Sequence, residues 1–226
     1  MKDFRAISKT YYGKIKSSLG FKNEYAKFFK EQDDEYYTRI FNSKPLIIED
    51  FVQFLRTKKD VSSVLEIGCS TGIFPIKFSN IFDNIEYTGL DISQKSINYC
   101  KKYSNFEFIC ADFLEIDLKK KFDMVFSIDV IDHVYDIDKF ITKIVQTAEK
   151  YAYVNSYRGY FPDLKKHKMQ WKDSDGVFYN NISVSQITET LFRNGLAKKE
   201  FEVYPKRRAV NDEKSEMILK IIKAGG

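Results

Sequence analysis

From Val64 onward, apolar runs of strand length alternate with stretches in which apolar residues recur at helical spacing. Val64–Ile67 reads as a first strand, Ile73–Phe82 as a helix that tolerates Pro75 in its first turn, and Glu86–Leu90 as a strand ending at Asp91. Ser93 is placed to cap a helix running to Tyr103. Phe106–Cys110 and Phe122–Ser127 follow as third and fourth strands, then a helix from Ile137 to Glu149 and a fifth strand, Tyr151–Val154. This alternation predicts a parallel sheet with helices on both faces. The ending breaks the rhythm. A helix over Ser185–Asn194, closed by Gly195, precedes strand patterns at Lys198–Tyr204 and Glu216–Ile222 that predict an antiparallel pair.

The first 60 residues are rich in aromatic side chains, among them Tyr11, Tyr12, Tyr36, Tyr37 and Phe41. Phe21, Tyr25, Phe28, Phe29 and Ile40 recur at helical spacing, and Pro45 suits the start of a helix carrying Ile47, Ile48, Phe51 and Leu55. Such a face either packs on the core or lies as a lid over a ligand. The chain thus divides into a helical extension or lid, residues 1–60, and an α/β domain, 61–226, with a substrate-binding insert at about 155–184.

Strands of this domain end repeatedly in polar residues or glycine. Ligands of open α/β sheets bind beyond the carboxyl ends of strands, so Gly68, Asp91, Asp112 and Asp129 should line one crevice. The turn after the first strand, Glu66-Ile67-Gly68-Cys69-Ser70-Thr71-Gly72, is neither the dinucleotide G-x-G-x-x-G nor a P-loop with its Lys-Ser/Thr pair. Asp91 follows Gly72 by 19 residues, where a carboxylate can accept from ribose hydroxyls.

Written as Glu66-x-Gly68-x-Ser70-x-Gly72, the turn resembles the first motif of the class I S-adenosylmethionine-dependent methyltransferases, E/D-x-G-x-G-x-G, with Ser70 in place of one glycine. The run from Phe122 to Val134 resembles the fourth-strand signature of the small-molecule branch of that family, which ends in a Glu-His pair; here Asp132 and His133 stand at the pair. The resemblance implies a Rossmann-like, seven-stranded, mostly parallel sheet with an antiparallel last strand and S-adenosyl-L-methionine as cofactor. It implies that Glu66, Gly68, Cys69, Ser70 and Gly72 hold the aminoacyl end and that Asp91 takes the ribose. Ile92 would pack on adenine, Asp112 and the Phe113 N–H would meet the adenine edge, and Ser127 would complete the set. Ser127-Ile128-Asp129-Val130 lacks the Pro-Pro-aromatic loop of amino-methylating nucleic-acid enzymes and the cysteine of cytosine-C5 enzymes.

Methyl transfer from a sulfonium asks the protein to position an acceptor and to manage one proton. His133 is the candidate general base, with packing beside the cofactor as its other reading. Tyr157, Arg158, His167, Trp171 and Tyr179 are the candidate acceptor contacts, mixing cations with stacking faces. The expected activity is methylation of an oxygen or nitrogen of a small, possibly anionic or sugar-linked metabolite. Two alternatives stay open: an RNA methyltransferase using the basic patches 165–172 and 206–208, and a catalytically inactive cofactor-binding protein.

Composition narrows this. With 226 residues the chain is long enough for one domain plus an extension, as a monomer or homodimer. No apolar run approaches the roughly 20 residues that span a bilayer, and the amino terminus lacks a signal-peptide core, so a cytoplasmic protein without membrane attachment is expected. A net charge of +5 permits an anionic substrate without demanding nucleic acid, which is not the expected partner. Cys69, Cys100 and Cys110 form no closely spaced pair, and only two histidines could join them, so no zinc site is expected. Cys100 and Cys110 read as buried or half-buried thiols. Asp129 with Asn155 matches only part of the ligand set of metal-dependent catechol-type enzymes, so no metal is expected.

Overall fold

The computed structural model describes residues 24–42, 47–82, 84–207 and 215–224. Tyr11, Tyr12, Phe21, Pro45 and Arg208 lie outside the described residues. Helices α1 (Lys27–Glu31), α2 (Asp34–Asn42) and α3 (Ile47–Arg56) precede strand β1 (Ser63–Ile67). Then come α4 (Ile73–Lys77), α5 (Ser79–Phe82), β2 (Glu86–Asp91), α6 (Gln94–Tyr103), β3 (Glu107–Cys110) and β4 (Phe122–Ser127). A 3-10 turn at Ile131–His133 leads to α7 (Ile137–Thr147) and β5 (Ala148–Ser156). The hairpin β6 (Lys168–Lys172) and β7 (Val177–Asn181), helix α8 (Val184–Arg193), β8 (Phe201–Arg207) and β9 (Ser215–Ile222) complete the chain.

Seven strands form one sheet in the order β3-β2-β1-β4-β5-β9-β8. Strands β1 to β5 pair in parallel, and β9 runs antiparallel to both β5 and β8. This is the Rossmann-like arrangement that the strand pattern and the family resemblance implied.

The pleat sends successive side chains to opposite faces. Leu65, Ile67, Val125, Ala152 and Val154 face α7 and α8, where Ile141, Ile144, Ile187 and Leu191 cover them. Val64, Met124, Phe126, Tyr151 and Tyr153 face α3 and α6. Phe51 of α3 stacks on Phe126 at 4.0 Å and meets Phe74 and Tyr153 edge-on. The expected 1–60 extension is therefore not uniform: α3 is a core layer of the sheet, whereas residues 24–42 lie at the carboxyl ends of the strands.

Several boundaries differ from the pattern. The single helix expected over 73–82 is two, because Phe78 leaves the helical region at φ −118° and α5 restarts at Ser79, which returns Phe82 to the core against Tyr87. The helix expected to reach Glu149 ends at Thr147, and β5 begins at once. Lys198–Glu200 is a 3-10 turn ahead of β8 rather than strand. Cys110 is exposed, not buried, because β3 is the edge strand of the sheet; Cys100 is buried as expected.

Candidate active site

Strand order reverses between β1 and β4, so the ends of these strands splay and leave a crevice, the position favoured for ligands in open α/β sheets. A cavity of about 310 Å³ opens there, at the lower end of the 300–1,000 Å³ typical of ligand sites. Gly68, Asp91, Asp112 and Asp129, the four strand-end residues, all line it.

The turn after β1 uses its amide groups within the protein. The N–H groups of Gly68 and Cys69 donate to the Leu90 carbonyl at 2.7 and 3.1 Å, that of Gly72 to the Cys69 carbonyl, and that of Ser70 to Asp91 Oδ2 at 2.9 Å. Few N–H donors are left for a phosphate. The cavity instead presents carboxyl groups: Glu66, Asp91, Asp112 and Asp129 line it, with no lysine or arginine among the described lining residues. Burial pushes Glu66 well above the usual carboxylate range despite the hydrogen bond from Tyr87, and burial raises Asp91 as well. The Thr71 hydroxyl is buried in the cavity wall and has no hydrogen-bond partner. Such a wall asks for a ligand rich in donors and positive charge. An ammonium, a sulfonium, ribose hydroxyls and an exocyclic amine are those groups, so the residues fit S-adenosylmethionine and do not fit a dinucleotide pyrophosphate.

Ser70 stands at φ 46°, the left-handed conformation that favours glycine. It is held there by Asp91 at its N–H and by the Ser96 hydroxyl and the Cys100 thiol at its carbonyl. Asp91 Oδ1 accepts from the Ser93 N–H at 2.8 Å, and the Ser93 side chain caps α6.

A family model described as a methyltransferase domain matches residues 58–202. The chain belongs to the class I S-adenosylmethionine-dependent methyltransferases. Over 78 residues the methyltransferase domain is 38% identical to malonyl-(acyl-carrier protein) O-methyltransferase 2 of Ilyobacter polytropus; the match covers 33% of this chain and 30% of that relative. The chain thus spans less than a third of that relative's length. In fold the domain is similar to magnesium protoporphyrin IX methyltransferase from Synechocystis PCC 6803, solved with S-adenosylhomocysteine (TM-score 0.63, 15% identity, 88% of this chain and 98% of that one). It is also similar to the plantazolicin methyltransferase solved with a pentazolic desmethyl analogue and S-adenosylhomocysteine (TM-score 0.62, 14% identity, 94% of this chain and 100% of that one).

Of the residues expected at the cofactor, Glu66, Gly68, Cys69, Ser70, Asp91, Ile92, Asp112 and Phe113 line the cavity of the methyltransferase domain. Two do not. Gly72 caps α4 behind the turn, and Ser127 is fully buried with its hydroxyl donating to the Ile67 carbonyl, which ties β4 to β1. Asp112 accepts from the Leu114 N–H and from the Tyr135 hydroxyl.

His133 lines the cavity. Its Nδ1 lies 2.8 Å from the Phe178 carbonyl, which can only accept, so the neutral ring carries its proton on Nδ1. Nε2 is then an acceptor, and the Tyr157 hydroxyl lies 3.2 Å from it. Phe29 and Tyr179 meet the ring edge-on at 5.2 and 5.4 Å. Burial holds the imidazole below its ordinary pKa, and the nearby Arg158 adds to this, while the Phe178 carbonyl opposes it.

The expected acceptor residues separate into two groups. Tyr157, Arg158 and Tyr179 gather around His133, with the Arg158 guanidinium 5.1 Å above the Tyr179 ring and its Nε 3.3 Å from Asn181 Oδ1. None of the five is among the residues that line the cavity, and His167 and Trp171 are engaged elsewhere. His167 Nδ1 accepts from the Ser183 N–H at the start of α8, its Nε2 lies 3.6 Å from Asp138, and burial lowers its pKa to about 4. Trp171 packs on Phe178 and donates to Asp173. Asn155 donates to Glu216 between β5 and β9. In the basic stretch 165–172, Lys166 and Lys172 are ion-paired with Glu189 and Asp175.

Three arrangements were not placed by the sequence patterns, although the aromatic segment reads as either a core face or a lid. Tyr25, Ala26, Phe29, Tyr36, Tyr37 and Ile40 line the cavity, and the Tyr37 hydroxyl lies 3.1 Å from Ser93 Oγ. Residues 26 and 28 donate backbone hydrogen bonds to the β6–β7 turn, at Gly176 (2.7 Å) and Asp175 (2.8 Å). The third is Asp132, which is fully buried and accepts three hydrogen bonds from residues 156–158. Only the aromatic content of the first segment hinted at any of these. In addition, no helix among the described residues is long and apolar enough to cross a membrane.

Proposed function

We propose that this chain transfers a methyl group to an oxygen or nitrogen of a small molecule bound at the His133 end of the cavity. The observation that carries this reading is the tautomer of His133: with Nδ1–H spent on the Phe178 carbonyl, Nε2 is a lone pair at the edge of a cavity whose other walls suit the cofactor. Bound S-adenosylmethionine supplies an activated methyl on a sulfonium, so the protein has only to orient the nucleophile and take its proton. Glu66 and Asp91, which line the cavity, would hold the cofactor's ammonium and ribose, and Asp112, Ile92 and Phe113 would meet its adenine. Neutral at physiological pH because burial depresses its pKa, His133 accepts the acceptor's proton at Nε2 after Tyr157 yields the site or relays the proton. Residues 24–42 serve as the lid that keeps water from the sulfonium end, through Tyr25, Phe29, Tyr36 and Tyr37. Arg158, Tyr157 and Tyr179 favour an acceptor with an anionic or sugar-linked portion placed outside the aromatic wall.

Mass spectrometry of a panel of hydroxyl- and amine-bearing metabolites incubated with the protein and cofactor tests this. A gain of one methyl group, stoichiometric with S-adenosylhomocysteine and lost in His133→Gln, is the expected result. Turnover unaffected by His133→Gln would reject the base, and tight cofactor binding with no methylation of any acceptor class would reject the activity.

A further inference from the structure

The geometry points to Asp132 as a positioning residue for the acceptor-side base: its carboxylate folds the chain after β5 so that the Tyr157 hydroxyl meets His133 Nε2. The inference rests on the reading of His133 as that base.

Asp132 is adjacent to His133 in sequence, yet its side chain points away from the cavity and is fully buried. All three hydrogen-bond partners of the carboxylate come from one stretch of chain. The Ser156 hydroxyl donates to Oδ1 at 2.6 Å, the Arg158 N–H to the same oxygen at 3.2 Å, and the Tyr157 N–H to Oδ2 at 3.2 Å. Both oxygens are therefore used, and the two consecutive amides they hold belong to the residues whose side chains frame His133. Tyr157 reaches Nε2, and Arg158 lies over Tyr179, which itself meets the His133 ring.

The cost of this arrangement argues that it has a use. A carboxyl out of contact with water is expensive unless its acceptors are satisfied. Here it is satisfied by two amides and a hydroxyl, and burial with the nearby Asp129 pushes its pKa up to about 7. A loop that needed only to be packed would be served by an apolar residue. A loop that must fix two amides against one turn of chain needs an acceptor with two oxygens, and an aspartate at this position supplies it. Asn180 secures the other side of the same turn by donating to the Ile131 and Val134 carbonyls. The 3-10 turn that carries both Asp132 and His133 is thus pinned from β5 and from β7, and the base and its hydroxyl partner are set by one structural unit.

The two histidines of the chain make a spectroscopic test direct. Side-chain nitrogen NMR at pH 8, where a His133 ring with a depressed pKa is neutral, reports tautomer and lone-pair hydrogen bonding; His133→Gln assigns the spectrum. The groups facing the ring are Phe29 from residues 24–42, Tyr157 and Arg158 after β5, and Tyr179 and Asp175 from the hairpin, while the Tyr25 hydroxyl donates to the His133 backbone carbonyl; none of these residues is substituted in Asp132→Asn. Tyr157→Phe removes the donor, so the Nε2 resonance is expected to move downfield toward that of a free imine nitrogen. Asp132→Asn keeps shape but turns an amide NH2 donor toward the Tyr157 N–H, and is expected to move Nε2 in the same direction by a comparable amount. Methyl transfer should fall in kcat at least tenfold, with the dissociation constant for S-adenosylhomocysteine within twofold of wild type. A wild-type Nε2 resonance in Asp132→Asn beside a displaced one in Tyr157→Phe overturns the inference and leaves Asp132 a packing residue. Should Asp132→Asn not fold, Ser156→Ala decides, since it removes one donor and keeps the acid: displacement supports the inference, and a wild-type resonance overturns it. Turnover that survives His133→Gln would instead reject the base itself, whatever the NMR result.

Discussion

If residues 24–42 act as a lid, Gly176→Ala is expected to unlatch it without unfolding the domain. Gly176 ends the β6–β7 turn at φ +61°, and a Cβ built on it would stand 2.1 Å from the Glu24 carbonyl oxygen and 2.8 Å from Lys27 Cβ. A backbone oxygen cannot rotate away, so residues 24–27 must retreat from the hairpin. The retreat breaks the hydrogen bonds from Ala26 and Phe28 to Gly176 and Asp175. At about 1 kcal/mol each, their loss is about 2 kcal/mol, roughly thirty-fold in the closed-to-open ratio. Amide hydrogen exchange at Ala26 and Phe28 should therefore quicken about thirty-fold, and cofactor affinity should weaken by up to the same factor if binding requires the closed lid. Left-handed strain alone, about 1–2 kcal/mol, is controlled by Gly195→Ala, since Gly195 has φ +84° but nothing within 4 Å of an added Cβ. That variant should lose stability without changing exchange at residues 26 and 28. Wild-type protection of those two amides in Gly176→Ala would refute the latch.

Four further outcomes are expected. If His133 is the base, kcat/KM should fall on the acid side with a midpoint below the ordinary histidine value of about 6.5, because burial lowers its pKa, and His133→Gln should flatten that limb. Burial raises the Glu66 pKa well above the usual range in the free protein; if Glu66 holds the cofactor's ammonium, which favours the carboxylate, calorimetry in buffers of different ionisation enthalpy should detect proton release on cofactor binding that Glu66→Gln abolishes, with affinity rising as pH rises. Asp50→Ala should cost about 3 kcal/mol in denaturant unfolding, since it strands Lys220, 3.3 Å away, together with Lys206 and the hydroxyls of Tyr153 and Tyr204. Burial opposes but does not outweigh these partners, so the Asp50 pKa is lowered; its contribution is present above the ordinary value of about 4 and is lost as pH falls through the lower folded value, and an acid titration that shows no such difference from Asp50→Ala would contradict it. Ser70→Gly should leave cofactor affinity unchanged and raise stability by up to about 1 kcal/mol, as relieved left-handed strain slightly exceeds the added chain entropy.

The sheet was legible because its determinants are local. Alternation such as Leu65, Ile67 against Val64, and Ala152, Val154 against Tyr151, Tyr153, marks both faces of a strand, and the polar residues that close each strand mark one end of the sheet. The acids of the cavity came with that ordering. The β6–β7 hairpin did not, because its first strand is half-exposed and carries Lys168, Gln170 and Lys172, with no apolar run to announce it beside the short buried β7. His167 and Trp171 have suitable chemistry for an acceptor, but the register of that hairpin and its packing on α8 turn them away from the cavity, and register is not written in composition. Ser127 was misread for a similar reason: its position at a strand end is right, but its hydroxyl is consumed by the neighbouring strand. Spacing likewise gives no direction for a side chain in a 3-10 turn, so it could not tell that Asp132 is buried against residues 156–158 while His133 lines the cavity.

The substitution at Ser70 follows from the same accounting of hydrogen bonds. Where a glycine-rich turn holds a phosphate, the glycines must bring N–H groups close to the ligand, and a Cβ obstructs that approach. In this turn the N–H groups of Gly68, Cys69, Ser70 and Gly72 are taken by Leu90, Asp91 and Cys69, so the ligand is met by carboxyl groups instead. What position 70 then requires is a left-handed backbone, and a residue other than glycine meets that requirement at a modest cost when its neighbours hold it. Asp91, Ser96 and Cys100 do so from strand β2 and helix α6. Asp91 thereby has two tasks, fixing the turn through the Ser70 N–H and facing the cavity with its remaining lone pairs. Asp91→Ala should accordingly lose more than a ribose contact, because the turn that carries Glu66 and Gly68 to the cavity would lose its anchor as well.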